Sequence, residues 1–269
     1  MLTHDETALL PTVIYDEIIK ARDNKAVGRS LAVYVRKSEG DSVSVVRAAN
    51  WPAAMVVGEG SEVLISGSTY TKTAYTYDKI GYRVAITNEM IEDANWPMVQ
   101  LAAKWAGEKM AIKESQDIIN VITGNAGTKL GRARLWNTTT SGIFNDIATA
   151  MRLIEQKDYG ANTLVLSPRL YAELRKQDQF RHANLAGTDK TLRTGEVGDV
   201  YGLRVIVSNQ LASGTMICLD DNATLFFERR PLTARETADS VRDLAGMVLT
   251  QRYKSAVIAP SGIVVYTGI

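Results

Sequence analysis

DKIGYRVAITNEMIEDANWPMVQLAAKWAGEKMAIKESQDIINVITG, residues 78–124, is the stretch on which the fold turns. Ile80, Tyr82, Val84 and Ile86 alternate with polar or small neighbours, the period of a half-buried strand. Just upstream Tyr75 and Tyr77 occupy odd positions, so the buried face switches at Asp78-Lys79, which predicts a bulge or bend there. Thr87-Asn88-Glu89 opens a short helical turn, and Asn95 before Trp96-Pro97 supplies a cap and a first-turn proline for a longer helix. That helix is expected from Pro97 to Ile122, stopped by Gly124, with Met98, Leu101, Trp105, Ile112, Ile119 and Ile122 on one stripe. At 1.5 Å per residue it spans roughly 39 Å, well beyond an ordinary helix of about three turns, and so acts as a spine. Its expected core residues are Leu101, Trp105, Ile112 and Ile119. On that reading Trp105→Ala costs on the order of 3 to 5 kcal/mol if the ring is fully buried.

Upstream of this stretch the chain is thin. Leu9, Leu10, Val13, Ile14, Ile18 and Ile19 form an apolar stripe of a short helix that ends at Gly28, too short to be stable alone, so its partner is the rest of the fold or another chain. Leu31, Val33 and Val35, then Val43 and Val45 after Glu39-Gly40-Asp41, read as a hairpin. From Arg47 to Thr73 short apolar pieces, Met55-Val56-Val57 and Val63-Leu64-Ile65, stand between turn signals, which reads as a long two-stranded excursion. Two strands alone are barely stable in water. The excursion is therefore expected to lie on something else, and Trp51, Met55, Val57, Glu59, Leu64, Ile65 and Lys72 are its candidate interface residues, facing a neighbouring subunit if the resemblance described below holds.

Downstream the pattern is mixed. Ile143–Gln156 is an amphipathic helix, Thr163–Leu166 a short buried strand, and Pro168–Lys176 a helix capped by Ser167. Arg181–Gly202 is polar and Gly-rich, the composition of a mobile loop, and Leu203–Val207, Thr215–Leu219, Leu225–Glu228, Gly246–Tyr253 and Ile263–Thr267 read as strands. Arg229 and Arg230, with Arg235 nearby, are assigned to solvent or to an interface, where phosphate or a neighbouring subunit's carboxylate would meet them.

Composition excludes several function classes. The 269 residues carry 31 Lys plus Arg against 30 Asp plus Glu, a net charge of +1, which fits neither a polybasic nucleic-acid binder nor an acidic tail. No window approaches the ~20 consecutive apolar residues needed to cross a bilayer, and no membrane partner is expected. Met1–Lys20 lacks the basic start and apolar run of a signal peptide, so a cytoplasmic product is expected. One cysteine, Cys218, and two histidines, His4 and His182, make neither an internal disulfide nor a zinc cluster. Gly124 to Lys129 has the wrong order for a phosphate loop and ends a helix, and Gly195, Gly198 and Gly202 miss the dinucleotide spacing. His182 reads as a solvated loop residue, Asp220 and Asp221 as turn formers before Asn222, and Cys218 as a small core hydrophobe. No catalytic residue, metal site or cofactor is expected; the chain reads as structural.

Taken in order, these features resemble the major capsid proteins of tailed bacteriophages, the Hong Kong 97-type capsid fold shared with encapsulin shells. The resemblance rests on the N-terminal arm, the excursion with Glu59-Gly60, Asp78 through Asp93, the spine with Glu108-Lys109-Met110-Ala111, Leu164-Val165-Leu166-Ser167-Pro168, Gly202 through Ser208, and a β-rich C-terminus. It implies an α+β chain with residues 1–46 as arm and first hairpin, 47–73 as extended loop, 74–140 and 223–269 as a peripheral domain holding the spine, and 141–222 as an axial domain. It implies a virion protein, assembled in the host cytoplasm, whose partner is itself, in hexamers and pentamers closing an icosahedral shell. Portal and scaffolding or decoration proteins would be further partners, with packaged DNA touched only weakly. An encapsulin-type compartment holding a cargo enzyme is the alternative. Two departures stand out: no scaffolding segment precedes the arm, and Trp51–Thr71 contains no lysine, Lys72 lying at its edge, so covalent cross-linking of shells is not expected.

Overall fold

Among the residues that the computed structural model describes (16–23, 25–37, 40–49, 56, 57, 59, 69–87, 96–131, 136, 142–177, 199–239 and 243–268), helices and three sheets combine as an α+β fold. The arm helix α1 covers residues 16–23, and a 3₁₀ turn follows at Val27–Leu31. The strands that lead to the spine are β1 (Val33–Arg36), β2 (Ser42–Ala49), β3 (Thr69–Thr76) and β4 (Asp78–Thr87); the spine itself is α2, Trp96–Gly124. After it come β5 (Thr128–Gly131), α3 (Gly142–Glu155), β6 (Thr163–Leu166), α4 (Pro168–Arg175), β7 (Asp199–Val200), β8 (Leu203–Val207) and β9 (Met216–Leu219). Two long strands, β10 (Thr224–Asp239) and β11 (Leu244–Val257), and a final β12 (Ile263–Thr267) complete the order.

The switch of buried face near Asp78 is a change of sheet. β3 pairs with β2 in a two-stranded sheet, whereas β4, beginning one residue after Tyr77, pairs antiparallel with β11 in a four-stranded sheet of order β1-β10-β11-β4. The expected hairpin of residues 31–45 is therefore corrected. β1 lies parallel to β10, Val33 opposite Leu225, and β2 pairs with β3. The local turn at Glu39-Gly40-Asp41 was overridden by a distant partner, since beside β10 the Tyr34 ring stacks on Phe226 at 6.2 Å and its hydroxyl donates to Glu228. β10 runs on past the expected end at Glu228, with register shifts around Arg230 and up to Thr233. Pro231 sits in that irregularity, where a missing N–H breaks no regular ladder.

The spine needs a second correction. Its buried residues begin as Ala103, Ala106 and Met110 and continue as Ile118, Ile119 and Ile122, while Leu101 is 38% and Trp105 58% exposed. Ile112 is half-buried. Leu101 and Ile119 are separated by about five full turns and share one side of an ideal helix, so helical period alone cannot distinguish them. What differs is the cover. The first half of the spine packs on α1 and the four-stranded sheet through Ile18, Leu232 and Leu249; the second half packs on Val165, Ile217, Leu219, Ile263 and Val265 of the other large sheet. The buried side thus turns about the axis along the spine, and Ala and Gly fill the first contact because the arm comes close.

That closeness is measurable at two glycines. A Cβ on Gly107 would stand 2.4 Å from the Ile18 carbonyl oxygen, and one on Gly28 would stand 2.7 Å from the Ser115 Cα. The Gly28 N–H donates to Ser115 Oγ at 3.1 Å. Ile18 and Leu31 are fully buried. Of the two partners open to the arm, its residues from 16 to 31 therefore take their own spine; residues 1–15 lie outside the described set.

Arg29 completes the seat. Its guanidinium meets Glu114 of the spine, donating Nη2 to Oε2 at 3.1 Å, and Glu228 of β10 at 3.2 Å, while Gln251 of β11 donates to the same two carboxylates at 2.8 and 3.2 Å. Burial works against the guanidinium's charge, but the hydrogen bond and charge of Glu114, with Glu228, more than offset it and hold its proton more firmly than usual. Arm, spine and long hairpin are joined at this one buried cluster.

The second large sheet has the order β5-β12-β9-β6-β8-β7. One face packs Leu164, Leu166, Met216 and Cys218 against Ile143, Ile147 and Ile154 of α3; the other meets the end of the spine. Strands covered on both faces read as continuous apolar runs, as Met216–Leu219 does. Burial pushes the Cys218 thiol up to about 12, the state of an inert core residue. Ser167 stands at the N-cap of α4, but its side chain makes no capping bond, which corrects the expected role. Asp220 does cap its turn, accepting from the Asn222 N–H at 2.9 Å. β5 and β12 belong to this sheet by hydrogen bonding, so residues 128–131 and 263–267 join the strands of 141–222. His182, Gly195 and Gly198 lie outside the described residues.

Candidate subunit interface

β2 and β3 stay in register from Ser42 opposite Thr76 to Ala49 opposite Thr69. Alternation gives this ribbon two faces. Val43, Val45 and Tyr75 turn inward and join Tyr77, Phe227 and Ala256, which fixes the root of the excursion on its own body. Val46, Tyr70 and Lys72 turn outward, with Val46 56% and Tyr70 61% exposed. Val57 and Glu59 are exposed as well; Trp51, Met55, Leu64 and Ile65 lie outside the described residues. Among the described residues, Val46 and Tyr70 are the ribbon's candidates for contact with another molecule.

The spine adds Leu101 and Trp105 to the exposed apolar residues of the subunit. Because its ring is open, Trp105→Ala is expected to shift the unfolding free energy of the isolated subunit by less than about 1 kcal/mol, in contrast to a core tryptophan. Urea unfolding followed by circular dichroism checks this. A loss of several kcal/mol would show that the ring is covered within the subunit.

Arg229 and Arg230 are half-buried at the irregularity of β10. The Arg230 side chain donates to Thr250 Oγ1 at 2.9 Å, and Arg230 stands directly opposite Arg252, which in turn stands opposite Lys79. Gln251 and Tyr253 of β11 point to the spine, where they meet Glu114 and Asp117, so Arg252 is on the other face. This cross-strand row joins residues from three separated segments, and Lys79 and Arg252 carry no sequence signal until the pairing is known. Among the described residues no group of three or more His, Cys, Asp or Glu is placed to hold a metal ion, and no helix is long and apolar enough to cross a membrane.

The described chain is an α+β body with a two-stranded ribbon that exposes Val46 and Tyr70. Known structures share this architecture. A chain from Mycobacterium phage Che8 superposes with a TM-score of 0.66 at 18% identity, covering 85% of both chains. The virus-like particle from Pyrococcus furiosus gives 0.69 at 17% identity over 94% of this chain and 97% of its own. The capsid of cyanophage P-SCSP1u gives 0.69 at 14% identity over 89% and 87%. No curated protein matches by sequence. Residues 70–266 match the family profile described as phage capsid protein. The chain belongs to the phage capsid protein family and is a capsid shell protein.

Proposed function

We propose that this chain is the major capsid protein of a tailed virus, forming hexamers and pentamers that close an icosahedral shell around double-stranded DNA. The observation that carries this reading is the match to the phage capsid protein family over residues 70–266. The physical features agree with it. Repeated heterologous contacts let one chain supply both the ribbon and the surface that covers it, and a net charge of +1 sets little repulsion against crowding identical copies. In this reading the six-stranded sheet with α3 and α4 gathers around the capsomer axes, the four-stranded sheet and spine form the periphery, and residues 47–73 are the extended loop. The chain works without enzymatic activity or cofactor, assembles in the host cytoplasm and resides in the virion. The portal, with scaffolding or decoration proteins, completes the particle, and contacts to packaged DNA are weak.

Electron microscopy of the purified protein tests this, with closed, uniform shells expected; a product that stays monomeric at high concentration would refute it. A second reading, kept open by the resemblance to encapsulin shells, is a compartment shell around a cargo enzyme; the fold shared with the virus-like particle from Pyrococcus furiosus is compatible with either. Particles from the native source separate the two, nuclease-protected DNA supporting the first and a co-purifying enzyme the second.

A further inference from the structure

The bulge of β10 gathers donors that nothing receives. Glu228 stands opposite Tyr253 and Arg230 opposite Arg252, so two steps along β10 answer one along β11, and Arg229 is the extra residue. Arg229 and Arg230 thus share one cross-strand partner, Arg252, in the arrangement by which a bulge re-aims side chains. Gln251 and Tyr253, on either side of Arg252, point to the spine, so Arg252 opens on the opposite face. Tyr77, the residue before β4, lies at the same place, 5% exposed and packed with Phe227 and Ala256. Burial holds its hydroxyl above the ordinary range against the charges of Arg229 and Arg252, which therefore stand near it. Three donors of this cluster, Tyr77 Oη, Arg229 Nε and Arg230 Nε, are buried without an acceptor. Arg230 spends Nη2 on Thr250 Oγ1 at 2.9 Å. A buried donor that meets no acceptor keeps the whole cost of leaving water.

The charge is as unbalanced as the hydrogen bonding. Lys79 of β4 stands opposite Arg252, and Lys254 lies two residues along β11. Against Lys79, Arg229, Arg230, Arg252 and Lys254 the described residues set Asp78, 2.8 Å from Lys254, and Asp41, 3.9 Å from Arg252, an excess of 5 − 2 = +3. Like charges directly opposed across strands destabilise a sheet unless something negative answers them. We infer that the bulge of β10 binds a phosphate group, held by Arg229, Arg230, Arg252 and the Tyr77 hydroxyl. A phosphate brings close to two negative charges at neutral pH and several strong acceptor oxygens, so it answers the excess charge and the unspent donors together. A carboxylate brings one charge and two oxygens in a plane, which suits one guanidinium and leaves the other two opposed. Arg229 and Arg230 are half-buried and the Arg252 side chain is 32% exposed, so an anion from solvent reaches their outer nitrogens. A turn of the two neighbouring arginines then presents their covered Nε atoms to it. The site belongs to the single subunit and goes beyond the shell reading without resting on it.

Thermal unfolding of the full chain tests it. In ~20 mM inorganic phosphate, against chloride at equal ionic strength, the wild-type midpoint is expected to rise by about 3 °C, the shift that a Kd of about 1 mM gives a chain of this size. Tyr77→Phe keeps the packed ring and removes only the unpartnered hydroxyl. In chloride it is expected to unfold at or slightly above the wild-type temperature, with the phosphate-dependent rise cut to about half. Arg229→Met is expected to abolish the rise, and the phosphorus NMR line of inorganic phosphate, broadened by the wild type, is expected to stay sharp with this variant. If Arg229→Met fails to fold by circular dichroism, Tyr77→Phe carries the comparison, read by the same line. An equal rise in wild type and variants is a general salt effect and overturns the inference. So does an equal rise in acetate at the same concentration, which would give the cluster to a carboxylate. A short DNA duplex with unphosphorylated ends, supplied at the same concentration of phosphate groups, distinguishes the source. A rise that the same variants remove assigns the group to a nucleic-acid backbone, whereas a rise confined to inorganic phosphate assigns it to the free ion. No rise with either overturns the inference.

Discussion

Deleting residues 52–70 is expected to abolish closed shells while leaving a folded, soluble subunit. The described part of the excursion that touches its own body is the root, where Val43, Val45 and Tyr75 meet Tyr77, Phe227 and Ala256; the deletion spares all of these. What it removes is the outer part, with Met55, Val57, Leu64 and Ile65, assigned here to a neighbour. Subunit stability should therefore change by less than about 1 kcal/mol, read by thermal unfolding, and electron microscopy should show no closed particles. Normal particles from this deletion would mean that the excursion is not an intersubunit element.

Arg29→Met is the largest expected loss within the subunit. Glu114 and Glu228 are 1% and 5% exposed at their side chains, and Arg29 is the cation that meets both. Without it two buried carboxylates face each other with Gln251, and breaking a buried pair in this way costs about 3 to 5 kcal/mol. Urea unfolding gives the loss. The double variant Arg29→Met with Glu228→Gln should recover part of it, because one of the stranded charges is then gone. A change under about 1 kcal/mol for the single variant would show that the cluster is relieved by water and is not the join between arm, spine and hairpin.

Much of this fold was legible because local signals and tertiary demands agreed. The spine was expected over Pro97–Ile122 and runs Trp96–Gly124, and the short strand Thr163–Leu166 falls where it was expected. The switch of face after Tyr77 was legible as an irregularity, though alternation cannot say that the cause is a change of sheet. The failures share one origin in distant partners. Val33–Arg36 looked like half of a hairpin because a turn follows it, yet its neighbour is β10, about 190 residues on. β10 was expected only over Leu225–Glu228 but runs to Asp239, and Pro231 lies within its register shift. Trp105 looked buried because it shares a helical stripe with Ile119, but cover comes from different sheets along the spine.

The candidate interface was partly legible for the same reason. Apolar pieces between turn signals marked the excursion, and Arg229 and Arg230 stood out as a pair. Val46 and Tyr70 emerge only when the ladder assigns faces, and Lys79 and Arg252 only when β4, β11 and β10 are laid side by side. The arm was legible as incomplete but not as to what completes it. Residues 16–23 and 25–31 find their cover on their own spine.

Sedimentation velocity of the purified full-length chain over a range of concentrations tests most directly whether copies complete one another. The account predicts a fast boundary far above the 29.5 kDa of one chain, growing with concentration at the expense of the slow one. A single slow boundary at the mass of one chain at every concentration would contradict it.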